Sequence, residues 1–267
     1  MPSNLSVTII TASYNAHAYI MQSMNSVFDQ TYPNIEHIVV DGGSTDDTIQ
    51  ILKEFELKVK SSTFAKASAD KQKLKFYWKS EKDRGIADAF NKGIRMSQGN
   101  YIYFLGANDV LKDRLVIEKM MHGVDSKKDI IICGKIDRIK KSNTYSALYT
   151  SSIRFSPWQL LYKMALPHQG MFIHRNFFRK YGYFDTNFRY AMDYDLLLRA
   201  YHEFPNVILK DIVVAGWREG GVGKNKLYEI LDEYHHVRMK NHIAPAWILR
   251  IIHEAVKVRY KLVKFSE

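Results

Sequence analysis

The feature that most constrains the fold of this chain is the alternation at its start. "LSVTIITA" (5–12) is a β-rich run, and after "SYNAH" a helical pattern follows in which Ile20, Met24, Val27 and Phe28 share one face. "IEHIVVDGG" (35–43) repeats the plan: Ser44 to Asp47 reads as a helix start, and Ile49, Ile51, Leu52 and Phe55 follow. Strand, helix, strand, helix requires a parallel sheet with right-handed crossovers, so the fold class is α/β. "KFYWKSE" and "YIYFLG" supply a third and a fourth strand, with the helix "DRGIADAFNKGIRMSQ" between them.

Three of these strands run into carboxylates: Asp41 after "IEHIVV", Asp83 after "KFYWKSE" and Asp109 after "YIYFLGAN". In a parallel sheet all three fall on one edge, where open α/β sheets bind their ligands. With "TASYN" after the first strand, that edge offers the parts of a nucleotide pocket with a divalent cation. Tyr14 can stack on a base, Asp41 can accept from a ring N–H, and Asp109 offers a hard oxygen to Mg²⁺ or Mn²⁺. Asn108 and Asp109 read equally well as turn and capping residues when taken alone. On the third helix Ile86, Phe90 and Ile94 fall on one side, while Arg84, Asp88, Asn91 and Arg95 form a polar stripe almost opposite. That stripe is a solvated face or the wall of a cleft.

The formal net charge of +11 calls for an anionic partner: nucleic acid, anionic lipid or a phosphorylated small molecule. No recognition-helix, zinc-finger or RNP-type signature is present, which speaks against nucleic acid. The single cysteine, Cys133, lies in the apolar run "DIIICGK", so disulfides and cysteine-based metal sites are excluded and it is expected in the core. No stretch has the roughly 20 apolar residues of a spanning helix, and "MPSNLSVTIITASYN" lacks the plan of a secretory signal. A cytoplasmic location is expected. "LKVKSSTFAKASADKQKLK", small, polar and lysine-rich, is expected to be an exposed loop. "MDYDLLLRAYHEF" (192–204) is predicted helical, and "GGVG" is a flexible loop that serves as a lid or as simple turns.

"VTIITASYN", "VVDGGSTDDT", "SEKDRGIADAFNKGI", "GNYIYFLGANDVL", "HQGMFIHRNFF" and "GYFDTNFRYAMDYDLLLR" come in an order and with a spacing that resemble glycosyltransferase family 2, over roughly residues 5–223. The nearest likeness is to bacterial members that build surface polysaccharide. The resemblance implies the GT-A fold, a Rossmann-like, mostly parallel central sheet flanked by helices. It implies inverting transfer of a sugar from a nucleoside diphosphate donor, most commonly UDP, to a saccharide acceptor, lipid-linked in such pathways. Ala12, Tyr14 and Asn15 match the nucleotide-binding first loop, and Asp41 with Ser44 matches the segment that holds the base. Arg84, Asp88 and Asn91 match positions lining the donor site, which turns the polar stripe into a cleft wall. Asp109 matches the last carboxylate of the metal-binding region, Asp193 the catalytic base, and His168 a position near the acceptor. Family members carry further acidic residues where this chain has Gly106, Ala107 and Asn108; an amide at Asn108 still suits the ribose or the diphosphate.

These readings divide the chain into a glycosyltransferase domain at 1–223, with a nucleotide half to about 110 and an acceptor half beyond it, and a helical extension at 224–267. In the extension Ile248, Ile251, Ile252, Ala255, Val258 and Leu262 form an apolar stripe, and Arg250, Lys257, Lys261 and Lys264 a basic one. Such a helix lies on an anionic leaflet or packs on the domain or on a second subunit. A catalytically weak nucleotide-binding partner in an assembly complex is the alternative reading, resting on the depleted metal motif, and a nucleic-acid-binding protein rests on charge alone.

Overall fold

The computed structural model describes residues 5–65, 74–139, 145–147, 154–218, 220–221, 223 and 225–264. The strands and helices run in the order β1 (Val7–Ser13), α1 (Ile20–Phe28), β2 (Ile35–Asp41), α2 (Thr48–Ala65), β3 (Lys75–Ser80), α3 (Ile86–Met96) and β4 (Tyr101–Gly106). They continue with β5 (Val110–Leu111), α4 (Val116–Met121), β6 (Ile131–Ile139), β7 (Tyr145–Ala147), β8 (Met171–His174), α5 (Arg175–Tyr181) and α6 (Met192–Leu198). The last elements are β9 (Val207–Arg218), α7 (Leu227–Lys240) and α8 (Ala246–Lys264).

Among the described residues one sheet of nine strands runs in the order β3-β2-β1-β4-β8-β6-β9-β5, with β7 on β6. The first four strands are parallel, as the alternation requires. β8 joins antiparallel to both β4 and β6 and thereby carries the sheet from the nucleotide half into the acceptor half. β1 and β2 are buried almost throughout, because helices cover both faces. Thr8 Oγ1 donates to Glu36 at 2.6 Å and Thr11 Oγ1 lies 3.1 Å from His37 Nε2, while His37 Nδ1 is buried without a hydrogen-bond partner.

α1 buries Ile20, Met24 and Val27 as its periodicity predicts. α3 buries Phe90 and Ile94 but leaves Ile86 at its first turn exposed. α3 lies close on β1 because Gly93 has no side chain; a Cβ there would overlap Ile10. Cys133 is fully buried in β6, and burial pushes its thiol pKa up. Two readings need correction. The segment expected as an exposed loop is helical in its first part, since α2 continues to Ala65; its residues 66–73 lie outside the described residues. The helix predicted over 192–204 ends at Leu198 and is followed by a 3-10 turn at Tyr201–Glu203.

The inner faces of α7 and α8 contribute Val237 and Leu249 to the same core cluster as β4, α3 and α6, so the C-terminal helices are packed on the domain. Among the described residues no helix is long and apolar enough to cross a membrane.

Candidate active site

The strand order reverses at β1: β2 and β3 build outward on one side and β4 on the other. The crevice outside the carboxyl ends of β1 and β4 is therefore the topological switch point, the place where such sheets hold ligands. The strand ends are level, with Ser13 beside Asp41, Asp41 beside Ser80 and Ala12 beside Gly106.

On the β1 side two loops are tied together. Asn15, with φ of 47°, accepts the Thr45 N–H at 2.9 Å on its Oδ1, and its own N–H donates to Ser44 Oγ at 2.8 Å. The left-handed backbone at Asn15 suits an asparagine. Between these ties Tyr14 projects outward, 63% exposed, with Ala12 half-buried behind it. The ring is open to stack on a planar ligand.

Asp41 has a different task from the one expected. Its carboxylate is fully buried and accepts from the N–H groups of Gly43 at 3.0 Å and Ser44 at 2.9 Å. It also accepts from the hydroxyls of Ser13, Ser44 and Ser80. A carboxylate has about four lone-pair sites, so these donors fill it, and Asp41 organises the loop instead of lying open to a base. Ser44 is one of those donors and the acceptor for Asn15. Asp41→Ala would strand several buried donors and is expected to cost at least about 3 kcal/mol, at roughly 1–3 kcal/mol for each unsatisfied group. A fall in the urea midpoint at constant slope checks this.

Along α3 the stripe splits. Arg84 is exposed at the mouth, and its N–H donates to Asp88 Oδ2 at 3.2 Å, while Lys92 Nζ lies 3.7 Å from the same carboxylate. Asn91 is corrected: it is buried, donates from Nδ2 to the Phe184 carbonyl at 2.8 Å and accepts the Phe184 N–H at 2.9 Å. It fastens α3 to the segment before α6 and does not line the donor site.

At the end of β4 Asn108 is exposed, and the next residue, Asp109, is 5% exposed. The Arg218 N–H donates to Asp109 Oδ1 at 2.9 Å. Burial pushes the Asp109 pKa up to about 6, the bond from Arg218 and its charge opposing this. Gly106 leaves room for this carboxylate to fold back on the strand end, since a Cβ there would meet Asp109 Oδ2 in its present position. The Arg218 guanidinium donates from Nε to the Asn108 carbonyl at 3.3 Å and from Nη2 to Gln22 Oε1 at 3.1 Å, and lies 4.4 Å from the centre of the Tyr19 ring. Arg218 is a residue the sequence reading missed. The two-residue strand β5 pairs with β9, Val110 opposite Gly216, and this brings together positions 109 residues apart.

His168, expected near an acceptor, lies against Phe104, two residues before the end of β4. His168 stacks on its ring at 5.4 Å and lies 5.9 Å from Phe90, and neither ring nitrogen of His168 has a hydrogen-bond partner. His168 Nδ1 is 4.0 Å from Asp193 Oδ2. Burial lowers the pKa of His168 and raises that of Asp193, each partly offset by the other's charge. Asp193 Oδ1 accepts the Tyr194 N–H at 2.8 Å. Two residues on, Asp195 is fully buried and bonded to Arg199, Lys240 Nζ at 2.9 Å and Asn241 Nδ2 at 3.0 Å. Helical geometry sends the two carboxylates in different directions, and only Asp193 faces His168.

Among the described residues no group of three or more metal-ligating side chains occurs. The one carboxylate at the strand end fits a hard cation that keeps several waters and shares substrate phosphates, and does not fit an all-protein cage.

The sequence model of Glycosyl transferase family 2 matches residues 8–188, from β1 into the segment before α6. The chain belongs to glycosyltransferase family 2. This family 2 enzyme is 26% identical over 226 residues to the PGL/p-HBAD biosynthesis glycosyltransferase of Mycobacterium bovis (strain BCG / Pasteur 1173P2), covering 83% of this chain and 80% of that one. Its fold is similar to that of S. aureus TarS 1-349 in complex with UDP-GlcNAc, with TM-score 0.66 and 16% identity over 93% of this chain and 70% of that one. It is also similar to the mannosyltransferase PcManGT from Pyrobaculum calidifontis in complex with GDP-Man and Mn²⁺, with TM-score 0.62 and 17% identity over 97% of this chain and 76% of that one. The fold of the glycosyltransferase is GT-A.

Proposed function

We propose that this glycosyltransferase moves a sugar from a UDP-sugar to a saccharide acceptor with inversion, in the synthesis of a cell-surface glycan. The observation that carries the reading is Asp193: of two carboxylates on one helix, it alone is left without a cationic side chain bonded to it. Asp193 takes the proton of the acceptor hydroxyl, the oxygen attacks the anomeric carbon, and the bond to the diphosphate breaks with its electron pair leaving on UDP. A base works best with its pKa near the working pH, and burial moves Asp193 in that direction. His168 stands on the acceptor side of this carboxylate.

On the donor side Tyr14 stacks on the base, Asn15 and Ser44 shape the loop around it, and Arg84 faces the ligand from the mouth of α3. Asn108 bonds the ribose or the diphosphate. Asp109 would hold Mg²⁺ or Mn²⁺, which when bound neutralises charge gathering on the leaving diphosphate. The UDP-GlcNAc complex of TarS and the GDP-Man and Mn²⁺ complex of PcManGT support a nucleotide-sugar donor and a metal. The relative named for PGL/p-HBAD biosynthesis supports a role in glycan biosynthesis, and in this reading the acceptor is a lipid-linked saccharide. The reduced strand-end motif, with Asp109 as its one carboxylate, favours a second reading: a nucleotide-binding partner in an assembly complex with weak catalysis of its own.

Calorimetry with UDP, GDP, TDP and CMP, each with and without Mn²⁺, tests the donor assignment. Selective UDP binding that tightens with Mn²⁺ is expected, followed by UDP release from UDP-sugars when a saccharide acceptor is added. Binding without any turnover would move the partner reading ahead, and no binding at all would overturn both.

A further inference from the structure

The C-terminal helix has two apolar faces. Its inner face is used: Leu249 and His253 are buried, the His253 ring stacks on His235 of α7 at 4.4 Å, and Lys257 Nζ and His253 Nε2 reach Asp232 at 2.7 and 3.2 Å. The predicted stripe through Ile248 and Ile252 therefore turns partly inward, both being half-buried. The outer face carries Trp247, Ile251, Val258 and Leu262, which are 64%, 61%, 52% and 66% exposed. These positions are spaced i, i+4, i+11 and i+15, within about 60° of arc at 3.6 residues per turn. Exposed charges border the row: Arg250 and Lys261 on one side, with Glu254 between them and the row, and Arg259 on the other.

We propose that this outer face of α8 is a membrane-docking surface that lies in the interface of an anionic bilayer. A single row of large apolar side chains, with an aromatic residue at one end and borders that hold three cations against the one carboxylate of Glu254, fits a headgroup layer. A second copy of the chain fits it poorly. Pairing two such rows would bring the basic borders of both copies together, in molecules that each carry a formal charge of +11. An anionic surface complements the same borders. Docking here needs no change in the domain, since the inner face stays on α7. Nor does it rest on the catalytic reading, which nucleotide calorimetry in solution tests separately.

The experiment is co-sedimentation of the full chain with vesicles of phosphatidylcholine alone, or of phosphatidylcholine with phosphatidylglycerol, at low and high salt. Binding is expected to the anionic vesicles only and to weaken as salt rises. Arg250→Gln combined with Lys261→Gln should lower partitioning roughly thirtyfold, at about fivefold for each cation. Trp247→Ser combined with Ile251→Ser should abolish it, with the thermal melt and nucleotide binding of both variants unchanged because the altered side chains are exposed. Equal binding to both vesicle types, binding to neither, or retention in the Trp247→Ser, Ile251→Ser variant would overturn the proposal. A dimer in sedimentation equilibrium that this variant abolishes, without vesicle binding by the parent chain, would overturn it in favour of a second copy. Capture by an acidic protein with no vesicle binding would overturn it as well.

Discussion

Asp193→Asn is expected to lower kcat for sugar transfer by roughly 10²–10⁴-fold, the usual worth of a positioned general base. The amide keeps the shape of the side chain and can still accept the Tyr194 N–H, so the start of α6 should be intact. What it cannot do is take a proton. Donor affinity, measured by calorimetry, should be unchanged, which separates a lost base from a collapsed site. The pH profile gives a second readout. Burial raises the pKa of Asp193, so the base of the parent enzyme loses its charge as pH falls through a value above the ordinary carboxylate range. Activity should decline on that acid side, and the residual activity of Asp193→Asn should not show the limb. Full transfer activity in the variant would remove Asp193 from the mechanism. Asp195→Asn is the contrast: it weakens a buried group bonded to Arg199, Lys240 and Asn241, and its signature should be lost stability.

The second large effect is expected at Asp109. Stabilising charge that develops on a leaving group is worth about 10²–10³ in rate, and this chain has one strand-end carboxylate with which to hold a cation for that purpose. Asp109→Asn should therefore lower kcat/KM by at least about a hundredfold and erase the Mn²⁺ enhancement of UDP binding. Stability should move the other way. The amide oxygen keeps the bond from the Arg218 N–H while a charge that is 5% exposed disappears from the interior. The thermal midpoint at neutral pH is expected to stay level or rise, a common exchange at functional positions. An unchanged metal response in the variant would place the cation elsewhere.

The parallel half of the fold was legible because its signals are local. Each of "VTIITA" and "IEHIVV" is a run rich in β-branched residues, and each following helix carries its own periodicity, so the order β1-α1-β2-α2 can be read within a short window. The level strand ends followed from that order. Legibility failed where partners are distant. Asn91 has the look of a cleft residue on a polar stripe, yet it meets the backbone of Phe184, which only the folded chain brings near. Arg218 reaches Asp109 through a strand of two residues, too short for any periodicity to announce. Asp41 was placed correctly at its strand end, but its donors come from two other strands and a loop, and their number decides whether a carboxylate is structural or available. The division of labour between Asp193 and Asp195 was legible in part. Helical spacing separates their directions and Arg199 is a local partner at i+4, while Lys240 and Asn241, which also claim Asp195, lie on α7 and just beyond it.

The bonds around Asp41 also bear on time. With Gly43, Ser44, Ser13 and Ser80 held by Asp41, and with Asn15 fixed to Thr45, the β1 and β2 loops are tied by the chain's own bonds. On the proposed donor role, a nucleotide entering this half of the crevice would not wait for a rare competent form, and its apparent affinity would not be diluted by the fraction of molecules that hold the right shape. Capture is then set by encounter, and bases are sorted by how long each one stays.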